Sequence, residues 1–148
     1  MPTPRSGSTF GELGLTDSTR RAAERALGLW REQGNALRTG VSLNNIGNVL
    51  LDRRQLDSAR VIFGLALERR RTSGDRRGEG ITLLNLGRTE LLSAHHDSAV
   101  TVLRAAMAQI RATSNGGSEG IALSALGSAF AAARARPDSA AALLSRLA

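Results

Sequence analysis

An eight-residue phrase returns three times at a constant distance. It reads GVSLNNIG at residues 40 to 47, GITLLNLG at 80 to 87 and GIALSALG at 120 to 127. Gly40, Gly80 and Gly120 open the copies, and Gly47, Gly87 and Gly127 close them. A second mark keeps the same step: Asp17-Ser18, Asp57-Ser58 and Asp97-Ser98, then Asp138-Ser139 after a slip of one residue. A fixed period of this size is the signature of a repeat array, in which each unit is too small to bury its own apolar face and stacks on its neighbours.

The periodicity inside each copy is helical. Ala22, Ala23, Ala26, Leu27 and Trp30 place a helix over 16–33, ended by Gly34-Asn35. Val41, Leu43, Ile46, Leu50 and Leu51 are the apolar positions of one over 37–52, and Ala59, Ile62, Phe63, Ala66 and Leu67 the inward face of one over 56–71. The pair returns at 78–93 and 96–112, and again at 118–134 and 137–147, separated by the breaks Ser73-Gly74-Asp75 and Asn115-Gly116-Gly117. No segment alternates apolar and polar residues over strand length, so the fold class is all-α, built of antiparallel helix pairs. Residues 1–15 read as a flexible lead-in or the remnant of a truncated first helix. Residues 16–148 read as the repeat domain, with units near 40–79, 80–119 and 120–148.

Gly47, Gly87 and Gly127 fall in the middle of helical patterns, where glycine costs ~1 kcal/mol relative to alanine. Close approach of a neighbouring helix offsets that cost. Ala59 with Ala66, and Ala99 with Ala106, are the small residues expected opposite, with Phe63 and Leu103 filling the gaps.

This arrangement resembles the tetratricopeptide repeat. There the first helix of each pair carries a large residue, then Leu-Gly, then another large residue, and the second carries Ala, a large residue and Ala. Here the residues are Leu43, Ile46-Gly47 and Leu50, followed by Ala59, Phe63 and Ala66. The next copy has Leu83, Leu86-Gly87 and Glu90, then Ala99, Leu103 and Ala106. The third has Leu123, Leu126-Gly127 and Phe130, then Ala140, Leu144 and Leu147. Departures are Glu90 at a usual large position, Leu147 for the last Ala, and no proline after the second helix. The period of forty, against roughly thirty-four for the common form, resembles the subclass of kinesin light chains, spindle-orientation adaptors and many bacterial regulators. The resemblance implies an α-solenoid wound as a right-handed superhelix, with the first helices lining an inner groove.

In that family, asparagines on the first helix hydrogen-bond the backbone of an extended peptide. The resemblance therefore implies a groove made by Asn45, Asn48, Asn85 and Arg88. An amide both donates and accepts, which suits a peptide unit whatever its side chains. The bland alternative is that these are solvated residues of a helix face or satisfy loop carbonyls. The third copy has Ser124, Ala125 and Ser128 there, so the groove weakens toward the C-terminus.

All twenty cations are arginine, and the formal net charge is +7. Codon bias in a GC-rich bacterial genome explains this without function; an acidic protein or peptide partner is the sharper reading. Only four aromatic residues are present, Phe10, Trp30, Phe63 and Phe130, too few for a base-stacking platform, which argues against nucleic acid. The run Arg69, Arg70, Arg71, Arg76 and Arg77 suits a helix C-terminus and the following loop. With no cysteine, disulfides and cysteine-based metal or nucleophile chemistry are excluded. His95-His96 has no converging carboxylates and reads as a solvated turn, and the Asp-Ser pairs read as helix-start devices. No catalytic residues, metal ligands or cofactors are expected, and the chain reads as a non-enzyme. It has neither a signal peptide nor a membrane-spanning window, so the expected location is the cytoplasm. The expected function is peptide or protein binding. The alternative is a regulatory or self-associating segment of a larger bacterial signalling or transcription-regulating protein. The last pair ends on Ala140, Ala141, Leu143, Leu144 and Leu147 without a polar cap, which predicts self-association through a chain end or a missing neighbour.

Overall fold

The computed structural model describes residues 17, 18, 21–25, 28, 36–113 and 116–135. Five helices are ordered among them: α1 (Ala36–Asp52), α2 (Leu56–Thr72), α3 (Arg76–Leu92), α4 (His96–Ala112) and α5 (Gly116–Ala135). The described residues between 17 and 28 are helical as well. No strand occurs among the described residues. The lead-in at 1–15 and the final helix expected over 137–147 lie outside them, as does most of the helix expected over 16–33.

The forty-residue step is literal. α1 and α3 begin at residues 36 and 76 and α2 and α4 at 56 and 96, each helix 17 residues long. The first helix of each pair starts four residues before the opening glycine.

The turns share one construction. Arg54, Gly74 and Ala94, spaced twenty apart, are left-handed with φ of 59°, 72° and 62°. Each donates its N–H to the carbonyl three residues back, and the next residue reaches five back: Gln55 to Leu50, Asp75 to Arg70 and His95 to Glu90, all at 2.9 Å. These bonds satisfy the last carbonyls of the helix before. A single left-handed residue thus turns the chain by the same amount each time, and only Gly74 occupies it without strain from a Cβ.

Packing follows from the glycines. A Cβ on Gly47 would lie 2.5 Å from Cε1 of Phe63, and one on Gly87 would collide with Cδ2 of Leu103. The large residues of α2 and α4, not the flanking alanines, therefore sit on the glycines of α1 and α3. This corrects the expectation of glycine against alanine: a bare backbone makes the socket and the big side chain fills it. Ala59, Ala66, Ala99 and Ala106, fully buried, flank these contacts. The core is Leu43, Leu50, Ile62 and Phe63 in the first pair and Leu83, Leu103, Met107 and Ile110 in the second. Val41 does not join it, being 41% exposed.

The first helices also touch one another, α1 with α3 and α3 with α5, whereas α2 and α4 make no comparable contact. The stack is therefore tighter on the side of the first helices, which puts α1, α3 and α5 on the inside of its curve. The result is an all-α solenoid of stacked helix pairs.

Candidate functional site

The inner row carries an open cleft of about 670 Å³, lined by Arg54, Arg88, Leu91, Leu92, Gly120, Ile121, Ser124 and Ala125. α3 supplies one wall, the first half of α5 the other, and Arg54 projects from the α1–α2 turn. Leu92 and Ile121 are about half exposed, at 46% and 52%. Arg54 Nη1 donates to the Leu51 carbonyl at 3.1 Å, tethering the guanidinium at the end of α1. Arg88 is exposed and has no ion pair among the described residues. A cleft of this size falls within the usual range for ligand sites, about 300–1,000 Å³.

Of the four residues expected in a groove, Arg88 alone lines this cleft. Asn48, its counterpart forty residues earlier, is half-buried, and Asn45 is exposed on α1. Asn85 is buried at 7% exposure, and its Nδ2 donates to Asn44 Oδ1 at 3.2 Å. The same oxygen accepts from Thr82 Oγ1 at 3.0 Å. Asn44, Thr82 and Asn85 thus form a buried polar seam between α1 and α3, and Asn85 turns its amide to a neighbouring helix. In the next seam the counterparts are Leu84, Ala122 and Ala125, which bond nothing through their side chains.

A second polar cluster was hidden in the departure from the usual pattern at Glu90. Its side chain is 8% exposed and pairs with Arg60 of α2 and with His95 Nδ1 at 3.0 Å. Arg60 Nη2 lies 2.9 Å from the same ring nitrogen. When Nδ1 carries a proton it donates to Glu90, and when bare it accepts from Arg60. Burial pushes the Glu90 carboxyl up, but hydrogen bonds from Arg60, His95 and Ser98 and the Arg60 charge outweigh it and hold the group below its ordinary value. His95 is therefore tied to a carboxylate, not simply solvated, although half its side chain is exposed. The sequence signal was an acid at a large apolar position with an arginine thirty residues before it.

Arg70 is also buried, at 5% exposure, where its counterpart in the next pair is Ile110. Its stem covers Gly40 and its guanidinium lies on Gly78, with Asp75 Oδ2 3.9 Å away. Burial lowers its pKa, and the Asp75 charge opposes that. Asp75 also caps α3, accepting from Gly78 N at 3.0 Å. Asp57-Ser58 and Asp97-Ser98 do not hold the N-cap positions of α2 and α4: Gln55 and His95 do, and make no side-chain cap. Asp57 and Asp97 instead place a carboxylate in the first turn, where the helix dipole favours it.

A family model described as tetratricopeptide repeat matches residues 38–112, the stretch from α1 through α4. The chain belongs to the tetratricopeptide repeat family. Repeats of this family generally act as non-catalytic scaffolds for protein–protein interaction. No curated protein and no solved structure matches the chain. No helix among the described residues is long and apolar enough to cross a membrane.

Proposed function

We propose that this tetratricopeptide repeat chain is a non-catalytic scaffold that binds a linear segment of a partner protein along the inner row of α1, α3 and α5. The observation that carries the reading is the α3–α5 cleft, where Arg88 stands beside the exposed side chains of Leu92 and Ile121. Apolar side chains left open next to a cation with no ion pair among the described residues give a ligand both area to bury and a group to orient it. Asn45 and Asn48 extend the polar part of the row onto α1, offering amides to a peptide backbone. Asn85 contributes indirectly by fixing α1 against α3. Affinity capture with the full chain and an Ile121→Asp variant tests this. The partner is retained by the wild-type chain and lost by the variant; retention by both with equal strength overturns the reading.

A second reading, self-association, is favoured by α5. Leu123 is 49% exposed and Phe130 37%, whereas their counterparts Leu43 and Leu50 are fully buried beneath α2. On this reading the face of α5, whose expected partner within the chain is the helix over 137–147, receives that helix from another copy. Mass in solution that rises with concentration, and falls to the monomer in a Leu123→Glu variant, supports it; a monomer at high concentration rejects it.

A further inference from the structure

We propose that the α3–α5 cleft selects an acidic segment of its partner, with an aliphatic side chain of that segment seated on Leu92 and Ile121 and its carboxylates met by Arg54 and Arg88. This deepens, and rests on, the inner-row binding reading above.

The two inner seams offer an internal comparison. At the α1–α3 seam the positions are Asn48, Leu51 and Asp52 on one wall and Gly80, Ile81, Leu84 and Asn85 on the other. Asn85 is buried there, at 7%, and its amide closes the seam against Asn44 of α1. At the α3–α5 seam the same positions hold Arg88, Leu91 and Leu92 facing Gly120, Ile121, Ser124 and Ala125. The asparagine that closes the first seam has become Ala125, and with the small side chain of Ser124 beside it the cleft stays open.

The same substitutions change its chemistry. Asp52 is replaced by Leu92 and Asn48 by Arg88, so the wall of α3 loses an acid and gains a cation. Arg54 adds a second cation from the turn. No acidic residue lines the cleft. Glu90, Asp75, Glu79 and Glu119 are engaged with Arg60, Arg70, Arg71 and Arg111 elsewhere. Arg54 commits one donor to Leu51, and a guanidinium has five, so both arginines keep donors for a carboxylate, which they can grip in pairs. Phosphate would satisfy the same arginines. A nucleic acid, however, also needs stacking surfaces, and the lining is aliphatic with no aromatic side chain. An apolar floor with cations at its edge fits a peptide whose acidic residues flank an aliphatic one.

The experiment is a selection of random linear peptides on the immobilised full chain, followed by affinity measurement on wild type, Arg88→Ala, Ser124→Leu and the control Arg77→Ala. Ser124 is exposed in the middle of α5, so leucine there fills the cleft without entering the core, and circular dichroism checks the helix content. Enrichment of aspartate or glutamate around an aliphatic residue is expected. Arg88→Ala should bind such peptides roughly tenfold more weakly, Ser124→Leu should abolish binding, and Arg77→Ala should change nothing. Neutral or basic peptides that depend on Ser124 in the same way would overturn the acidic class and leave the inner-row reading standing. A mixed-sequence oligonucleotide that binds more tightly than the selected peptides, and is lost in Ser124→Leu, would also overturn it. If no selected peptide is sensitive to Ser124→Leu, the inner-row reading itself falls.

Discussion

The ring of Phe63 lies directly on the backbone of Gly47, so close that a single added methyl group would overlap three of its carbons. The gain of ~1 kcal/mol in helix propensity on going from glycine to alanine is therefore outweighed by overpacking, which costs ~1–3 kcal/mol in a dense core. Gly47→Ala should lower the urea midpoint, and Gly87→Leu, facing Leu103, should lower it further. Gly64, also inside a helix but exposed, with nothing within 4 Å of where a Cβ would stand, should do the opposite: Gly64→Ala raises stability by about 0.5–1 kcal/mol. Equal effects at Gly47 and Gly64 would show that the socket is not there.

The α1–α3 seam hangs on one oxygen. Asn44 Oδ1 accepts from both Thr82 and Asn85, so Asn44→Leu strands two buried donors and should cost ~2–4 kcal/mol. The triple change Asn44→Leu, Thr82→Ala and Asn85→Ala copies the residues of the next seam and should recover most of that loss, because no donor is then left unpaired. Chemical denaturation of both variants checks it. A triple variant no more stable than Asn44→Leu contradicts the account.

Glu90 links stability to pH. Its carboxyl is held below the ordinary value in the folded chain, so the folded state takes up its proton less readily than the unfolded chain. The stabilisation is full above the ordinary carboxylate value and is lost as pH falls through the depressed folded value. Arg60→Ala should destabilise at neutral pH by ~1–3 kcal/mol, since it strands a buried charge. Glu90→Gln should flatten the acid limb of the stability curve. Urea midpoints measured across the acid range would show this, and wild type and Glu90→Gln falling in parallel would refute it.

Ala94 takes a left-handed φ of 62° with a Cβ attached, in the turn position where Gly74 sits freely. Ala94→Gly should raise the melting temperature, by about 0.5–1 kcal/mol in stability terms. A lower melting temperature would mean that the alanine side chain contributes more than its backbone strain costs.

Much of the architecture was legible because it depends on repetition. The spacing of Gly40, Gly80 and Gly120 gave the period, and Leu43, Leu50, Phe63 and Leu103 gave the core, since helical burial leaves a trace in one dimension. Partnership across helices leaves no such trace. Spacing alone could not say that Phe63, and not Ala59, meets Gly47, or that Asn85 spends its amide on Asn44 while Asn45, in the same register, stays exposed. The cleft was legible in part. Arg88 was visible as a polar residue on the inner helix, but the opening beside it comes from the small size of Ser124 and Ala125. Those residues, read singly, looked like a groove fading out. Arg54 could not be placed at all, because its position depends on the left-handed turn that aims it.

The central claim is that a partner segment lies in the α3–α5 cleft. The most direct test is to map amide chemical-shift changes in the isotope-labelled full chain on adding a peptide obtained by selection. The account predicts the largest changes at Arg88, Leu92, Ile121 and Ser124, with Arg54 following. Changes concentrated on the outer faces of α2 and α4, at residues such as Gly64, Glu68 and Arg104, with the cleft residues unmoved, would contradict it.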